Sequence, residues 1–298
     1  MIANAASRYK PTDTVFDVTT DADHLTHGMF VCGTTVIDWG DGTKSTTNSV
    51  ATAPLYSATA VSHTYSAPGT YTVIVSGTGY RISHSNNSYF PEGATRRLTR
   101  IRQIGNNLYA INAMFQSCPI TTIDEGCTFG SVTSTSADSC FYSAGSFDLP
   151  ESFAFPSNTT SMSTCFYSCS IRSADHLHIP SSVTNLENFF GFAGNLVSLS
   201  ADFKIPSGCT NVKNLFNFAT HLKHDISNMF PEEWATGTRN INIQSMFNRT
   251  DAKLTGTAPA NLLWESSNNF TYNTSTFAGC TQLTNYSDIP SSWGGGGA

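Results

Sequence analysis

The chain has 298 residues, a net charge of −6 at neutral pH and only 12% charged residues, against about a quarter in an ordinary globular protein. Ser, Thr, Asn and Gly fill the space, and the length suffices for substantial cores and two domains. The cations are too few for a nucleic-acid footprint, the one cluster being Arg96, Arg97, Arg100 and Arg102, and no run of about 18 apolar residues is present to insert into a membrane.

Residues 1–9 read as an arm, and the opening stretch lacks the apolar region of a Sec signal peptide. "TVFDVTT" and "GMFVCGT" then suit two strands. In "VIDWGDGT", residues 36–43, Val36, Ile37 and Trp39 suit a third, and Gly40, Asp41 and Gly42 supply the positive-φ positions of a tight turn. Pro68 and Gly69 mark another turn, after which Tyr71, Val73 and Val75 alternate with Thr70, Thr72 and Ile74 as in a strand with a buried face. These elements predict a small antiparallel β-sandwich over residues 10–82, followed by a linker over 83–94. "WGDG" followed by "HTYSAPGTYTV" resembles the polycystic-kidney-disease (PKD) type of immunoglobulin-like domain. The resemblance implies that Trp39 packs in the core, that the Gly-Asp-Gly turn closes a hairpin, and that His63 is a structural residue. Asp38 and Asp41 fit either a calcium site or turns in which the carboxylates accept from nearby backbone N–H groups.

From residue 95 the chain repeats. Phe115, Phe141, Phe166, Phe190, Phe216, Phe247 and Phe277 recur 26, 25, 24, 26, 31 and 30 residues apart. Each sits in a frame of spacing i, i+3, i+4, i+7, such as Met162, Cys165, Phe166, Cys169, or Leu186, Phe189, Phe190, Ala193. That spacing predicts one face of a short helix, with a small last residue that lets it sit close to the next layer. Short stretches such as "SFAFP", "HLHIP" and "DFKIP" alternate apolar and polar residues, predicting strands that end at proline. A strand, turn and helix of about 25 residues falls in the leucine-rich-repeat range. The expected fold class is therefore α+β: an N-terminal all-β, Ig-like (PKD-type) sandwich followed, over residues 95–293, by a leucine-rich-repeat solenoid with short helices and a parallel strand face. Residues 294–298 form a Gly-rich tail, either a capping edge or a flexible end.

"HIPSSVTNLENFFGFAGNLVSLS" and "MFQSCPITTID" resemble the BspA-type leucine-rich repeats, and "TNVKNLF" and "TSMSTCF" resemble a related repeat of bacterial surface lipoproteins. The order of a WGDG/HTY domain followed by such repeats is similar to an arrangement in that family, which implies a protein exposed on a bacterial or phage surface.

"TCFYSCSIR", residues 164–172, invites a zinc site of Cys165, Cys169, His176 and His178, or a ladder of disulfides. Met, Leu, Phe, Ala and Thr fill the same frame positions elsewhere, which favours buried thiols that serve packing. Cys32, Cys127 and Cys209 lie outside the frame. No hydrolase, metalloprotease, P-loop or dinucleotide motif is present, and Asp124 with Glu125 is the only acidic pair of the early repeats. The expectation is a non-enzymatic recognition or adhesion protein without cofactor or metal. Its contacts would lie on the strand face at His176, His178, Asp202 and Lys204, which otherwise form an ordinary solvated face. Its place would be the surface of a bacteriophage virion, as a fibre, neck or head-decoration component. Its partners would be a host cell-surface glycan or protein, or other virion structural proteins, and not nucleic acid or the membrane interior. It would act as a homo-oligomer within an assembly. The alternatives are a bacterial cell-surface, extracellular adhesin of the BspA type and a purely structural capsid-decoration protein.

Overall fold

The computed structural model describes residues 9–50, 52, 58–85, 93–236, 239–250, 253–266 and 269–297. Most of the expected N-terminal arm, residues 86–92 of the expected linker and the last residue of the tail lie outside that set.

The N-terminal strands are β1 (Thr14–Thr20), β2 (Thr26–Cys32), β3 (Thr34–Asp38), β4 (Lys44–Asn48), β5 (Thr59–Thr64), β6 (Gly69–Gly77) and β7 (Tyr80–Ser83). They are joined by β8 (Leu98–Gln103), β9 (Asn107–Ala110), β10 (Thr122–Ile123) and β11 (Ser131–Val132). One sheet has the order β10-β8-β1-β6-β3-β4 and the other β11-β9-β7-β2-β5. Phe16, Val18, Met29, Val31, Ile37, Val73, Val75 and Ile82 are buried in their common core. The GDG turn needs its glycines. Gly40 and Gly42 have φ of 81° and 90°, and a Cβ on Gly40 would stand 2.5 Å from the Thr72 carbonyl oxygen. Trp39 is buried, its ring 5.1 Å from the stacked His63 ring.

β8 and β9 fall where the repeats were expected to begin, yet they belong to the two sheets. β8 pairs antiparallel with β1 and β9 parallel with β7, and β10 and β11 then continue both edges in parallel. The sheets therefore run directly into the repeating region.

In that region the structure corrects the expected fold class. Among the described residues there is no α-helix, only 3-10 segments at Glu232–Ala235, Ala260–Leu262, Tyr286–Asp288 and Ser291–Trp293. The chain is largely all-β with several small sheets, and the expected α+β leucine-rich-repeat solenoid is not present. Each frame that suggested a helix is instead two consecutive β-turns. In the frame from Met162, the Cys165 N–H donates to the Met162 carbonyl at 3.2 Å and the Cys169 N–H to the Phe166 carbonyl at 3.1 Å. The third residue of each turn is left-handed: Thr164 has φ 54° and Ser168 φ 52°, the feature that defines type II turns. The same two places are left-handed in the other frames, at Ser139 and Ser143, Asn188 and Phe192, and Asn214 and Phe218. Turns of four residues placed end to end send their first and last side chains to one side. The buried positions are then the first, fourth, fifth and eighth, which is the spacing of a helix face. The helical and double-turn patterns coincide over so short a window, and this coincidence is why the sequence misleads.

A left-handed non-glycine residue costs about 1–2 kcal/mol. The cost is offset because N–H groups at these positions, and that of the Phe between them, bond to the next frame. Ser139 N–H donates to the Ser163 carbonyl (2.9 Å), Phe141 to Cys165 (2.8 Å) and Ser143 to Tyr167 (2.8 Å). Thr164 likewise donates to Glu187, Phe166 to Phe189 and Ser168 to Gly191. The frames thus stack as tiers. A row of parallel bridges links Ser136, Ser161, Asn185, Asn211 and Asn242. The phenylalanines form a continuous column with ring centroids 5.2 Å (Phe115–Phe141), 5.2 Å (Phe141–Phe166), 5.4 Å (Phe166–Phe190), 5.7 Å (Phe190–Phe216), 5.7 Å (Phe216–Phe247) and 5.6 Å (Phe247–Phe277) apart. Each is stacked, which adds about 0.5–1.5 kcal/mol per pair beyond burial.

The remaining strands are β12 (Ser173–Ala174), β13 (Ser198–Leu199), β14 (His224–Asp225), β15 (Asn240–Asn242), β16 (Leu254–Thr255) and β17 (Asn269–Tyr272). They pair in parallel as β12–β13, β14–β16 and β15–β17. β12 and β13 end earlier than the alternation in "HLHIP" and "DFKIP" suggested. The Asp175 N–H donates to the Ser173 hydroxyl and the Leu177 N–H to the Ala174 carbonyl, turning the chain out of the strand after two residues. Ser200 does the same to Asp202 and Phe203. The glycines after Trp293 pack as an edge: the Phe277 N–H donates to the Trp293 carbonyl, and the Gly297 N–H to that of Ile289.

Candidate recognition surface

Stacking the tiers in hydrogen-bonded register places equivalent side chains about 5 Å apart along columns, the spacing of hydrogen-bonded strands. Two columns reach solvent with distinct chemistry. The first is aromatic. Tyr142 stacks on Tyr167 (5.1 Å), Tyr167 meets Phe192 (5.3 Å), and Phe192 stacks on Phe218 (4.6 Å). The Arg249 guanidinium closes the row 5.0 Å above the Phe218 ring. Phe192 is 45% exposed. The rings face one another along the axis, so they present edges to solvent. Partial burial and the neighbouring Tyr142 push the Tyr167 hydroxyl up from its ordinary pKa.

The second column is basic. The Val197 N–H donates to the Arg172 carbonyl at 2.8 Å and the Lys223 N–H to the Val197 carbonyl at 2.9 Å, so Arg172, Val197 and Lys223 occupy one position in successive tiers. His224 is in register with Leu254, which puts Lys253 beside Lys223. Lys223, His224, Asp225, Lys253, Thr255 and Gln282 line a cleft of about 510 Å³. Arg172, Val197, Asn195, Ser146 and His221 line a second, of about 440 Å³. The two clefts share no lining residue, but the column of Arg172, Val197 and Lys223 runs from the second to the first, so their cations stand in one row. Burial lowers the His224 pKa, and the hydroxyl and N–H of Ser227 hold the Asp225 carboxyl below its usual range.

Five cations elsewhere are held in ion pairs. Lys44, Arg97, Arg100, Arg102 and Lys213 pair with Asp38, Asp21, Asp124, Asp17 and Glu187. Among the described residues, no ion pair engages Arg172, Lys223 or Lys253. Lys253 Nζ donates to the neutral Thr220 carbonyl at 2.7 Å, and His221 Nδ1 bonds to the Gly194 carbonyl oxygen.

Of the residues expected to make contacts, His176, His178, Asp202 and Lys204 are all exposed, while Leu177, Phe203 and Ile205 between them are buried. They lie past the ends of β12 and β13, in turns and extended chain. Lys204 lines a third cleft, of about 720 Å³, with Glu232 and Glu233. The groove residues were missed because their column becomes visible only once the unequal repeat lengths are brought into register by β12–β13 and β14–β16.

All eight cysteines are free and buried. Burial pushes the Cys127, Cys169 and Cys209 thiols up to about 12 and Cys280 to about 11, so they are protonated and unreactive at neutral pH. Among the described residues, no group of three His, Cys, Asp or Glu side chains is arranged to hold a metal ion. Asp38 and Asp41 accept from the Gly40 and Thr43 N–H groups, as turn-forming aspartates do. His63 Nε2 lies 2.7 Å from Asp41 Oδ2, and Asp124 is held by two bonds from Arg100. No described helix is long and apolar enough to cross a membrane.

No family model matches the chain, and no match is found among the curated proteins or the solved structures.

Proposed function

We propose that this chain is a non-enzymatic recognition or adhesion protein, exposed on a bacteriophage virion as a fibre, neck or head-decoration component. It would bind the host surface or other virion proteins. The observation that carries the reading is the pair of columns that reach solvent, one of stacked aromatic rings and one with Arg172 and Lys223 on either side of Val197, set along a line by the stacked tiers. Such a line suits an extended or repeating partner better than a single small molecule. The thiols support assembly in a reducing compartment before exposure: eight buried cysteines remain unpaired in a chain rich in exposed Ser and Thr. The likeness of the WGDG/HTY region to PKD-type domains belongs to the same proposal. It is supported by the stacking of His63 on Trp39 and the bond from the Tyr65 hydroxyl to the Trp39 carbonyl.

An antibody to the purified chain, used to label intact virions and uninfected cells, tests the placement. Labelling of virions alone is expected. Labelling of cell envelopes without virions overturns it in favour of a bacterial adhesin. Incubation of the chain with bacterial polysaccharides tests the rest: retention without new reducing ends is expected, and release of reducing ends overturns the non-enzymatic reading.

A further inference from the structure

We infer that the groove of Arg172, His221, Lys223, His224 and Lys253 binds an anionic sugar chain, one bearing carboxylate, sulfate or phosphate groups at regular spacing. The inference rests on the reading of the tiers as a recognition surface and assigns its ligand class.

Three observations converge on this chemistry. The groove gathers Arg172, Lys223 and Lys253, none of them in an ion pair among the described residues, against one carboxylate, Asp225, in the same lining. Elsewhere the exposed cations of the sheets are tied into ion pairs. A charge left unpaired at a concave surface keeps its attraction for a ligand, within the roughly 8–10 Å reach set by salt. The cations are also spaced in register: Lys223 and Lys253 stand one strand spacing apart, about 5 Å, and Arg172 lies two tiers from Lys223. A polymer with one anion per sugar can meet such a row; a single small anion meets one member of it. Apart from Val197 and Asp225, the rest of the lining is neutral and polar. Asn195, Gln282, Thr255 and Ser146 offer amides and hydroxyls, the partners that sugar hydroxyls need. The lining holds no Phe, Tyr or Trp side chain on which bases could stack. The Asp225 carboxylate in the first cleft accepts from the Ser227 N–H.

The test is calorimetric titration of the full chain with oligogalacturonate, a heparin oligosaccharide, neutral dextran and an oligothymidylate. Binding of at least one anionic oligosaccharide is expected, weakening as sodium chloride rises from about 50 to about 300 mM. The Lys223→Gln/Lys253→Gln variant, checked for unchanged folding by circular dichroism, should bind about tenfold more weakly. Equal binding of dextran overturns the role of charge, and tighter binding of the oligothymidylate replaces the sugar chain with nucleic acid. Phe192→Ser in the aromatic column separates the two levels. If the lysine variant binds as well as the parent while Phe192→Ser abolishes binding, the groove assignment fails and the recognition surface stands. If none of the probes binds, the groove assignment fails; if a probe binds and neither variant changes it, both fail.

Discussion

In the sandwich, β1 and β6 meet residue for residue from Thr14↔Val75 to Thr20↔Gly69, and the paired strands carry Phe16, Val73 and Val75 into the core. In the tiers, Met162, Cys165, Phe166 and Cys169 reach the core from two chained turns, and the hydrogen bonds that hold them run to the next repeat. The first region satisfies its backbone by pairing neighbouring strands within each sheet. The second cannot satisfy one tier without its neighbour, so its stability is shared along the stack. The two regions should therefore fail differently when damaged.

The largest difference should follow from Phe166→Ala. Phe166 is fully buried between Phe141 and Phe190. Truncating a buried phenylalanine costs about 3–5 kcal/mol. Hydrogen exchange should rise in the tiers on both sides of residue 166 while β3 and β6 remain protected. Loss of protection in β3 and β6 to the same degree would show that the regions unfold as one.

Acid should act at the boundary between them. His27 and His84 are fully buried, their rings 5.4 Å apart, and neither Nε2 has a hydrogen-bond partner among the described residues. His84 also ties the sheets to the first tier, its N–H donating to the Ala113 carbonyl and its Nδ1 bonding to the Met114 carbonyl. Burial lowers the pKa of both, His84 to about 4. A base whose folded pKa lies below its unfolded value near 6.5 stabilises the fold above that value, and the contribution fades as pH falls toward the folded pKa. Melting followed from pH 7 to pH 4 should show a falling midpoint, with exchange rising first around Ala113 and Met114. A midpoint constant across that range would remove the buried pair from the account.

How far the sequence could be read follows the same division. The strand at "TYTVIV" was legible from its alternation and those at "TVFDVTT" and "GMFVCGT" from short apolar runs, and Gly40 and Gly42 marked their turn because both hold a positive φ. The Phe positions of the repeats were legible as core, since all of them are buried. Their backbone was not, because helix and double turn share the same spacing and the left-handed places are filled by Ser, Thr, Asn and even Phe192 and Phe218 in place of glycine. Only Gly279 carries the expected signal, in the last tier. Of the surface, His176, His178, Asp202 and Lys204 were legible as exposed. The basic column was not, because Arg172, Lys223 and Lys253 stand 51 and 30 residues apart and meet only through stacking.

The smallest effect is the most direct test of the turn architecture. Ser143 and Ser168 stand in the left-handed region at φ 51° and 52°. In a helix, serine to glycine would lower stability by about 0.5 kcal/mol per site. In the double turn, glycine removes the left-handed strain, of about 1 kcal/mol, against a smaller loss of chain entropy. Urea unfolding of the Ser143→Gly/Ser168→Gly variant should therefore show a midpoint equal to or above that of the parent. A midpoint lowered by the equivalent of about 1 kcal/mol would contradict the chained turns on which the tiers, their columns and the groove depend.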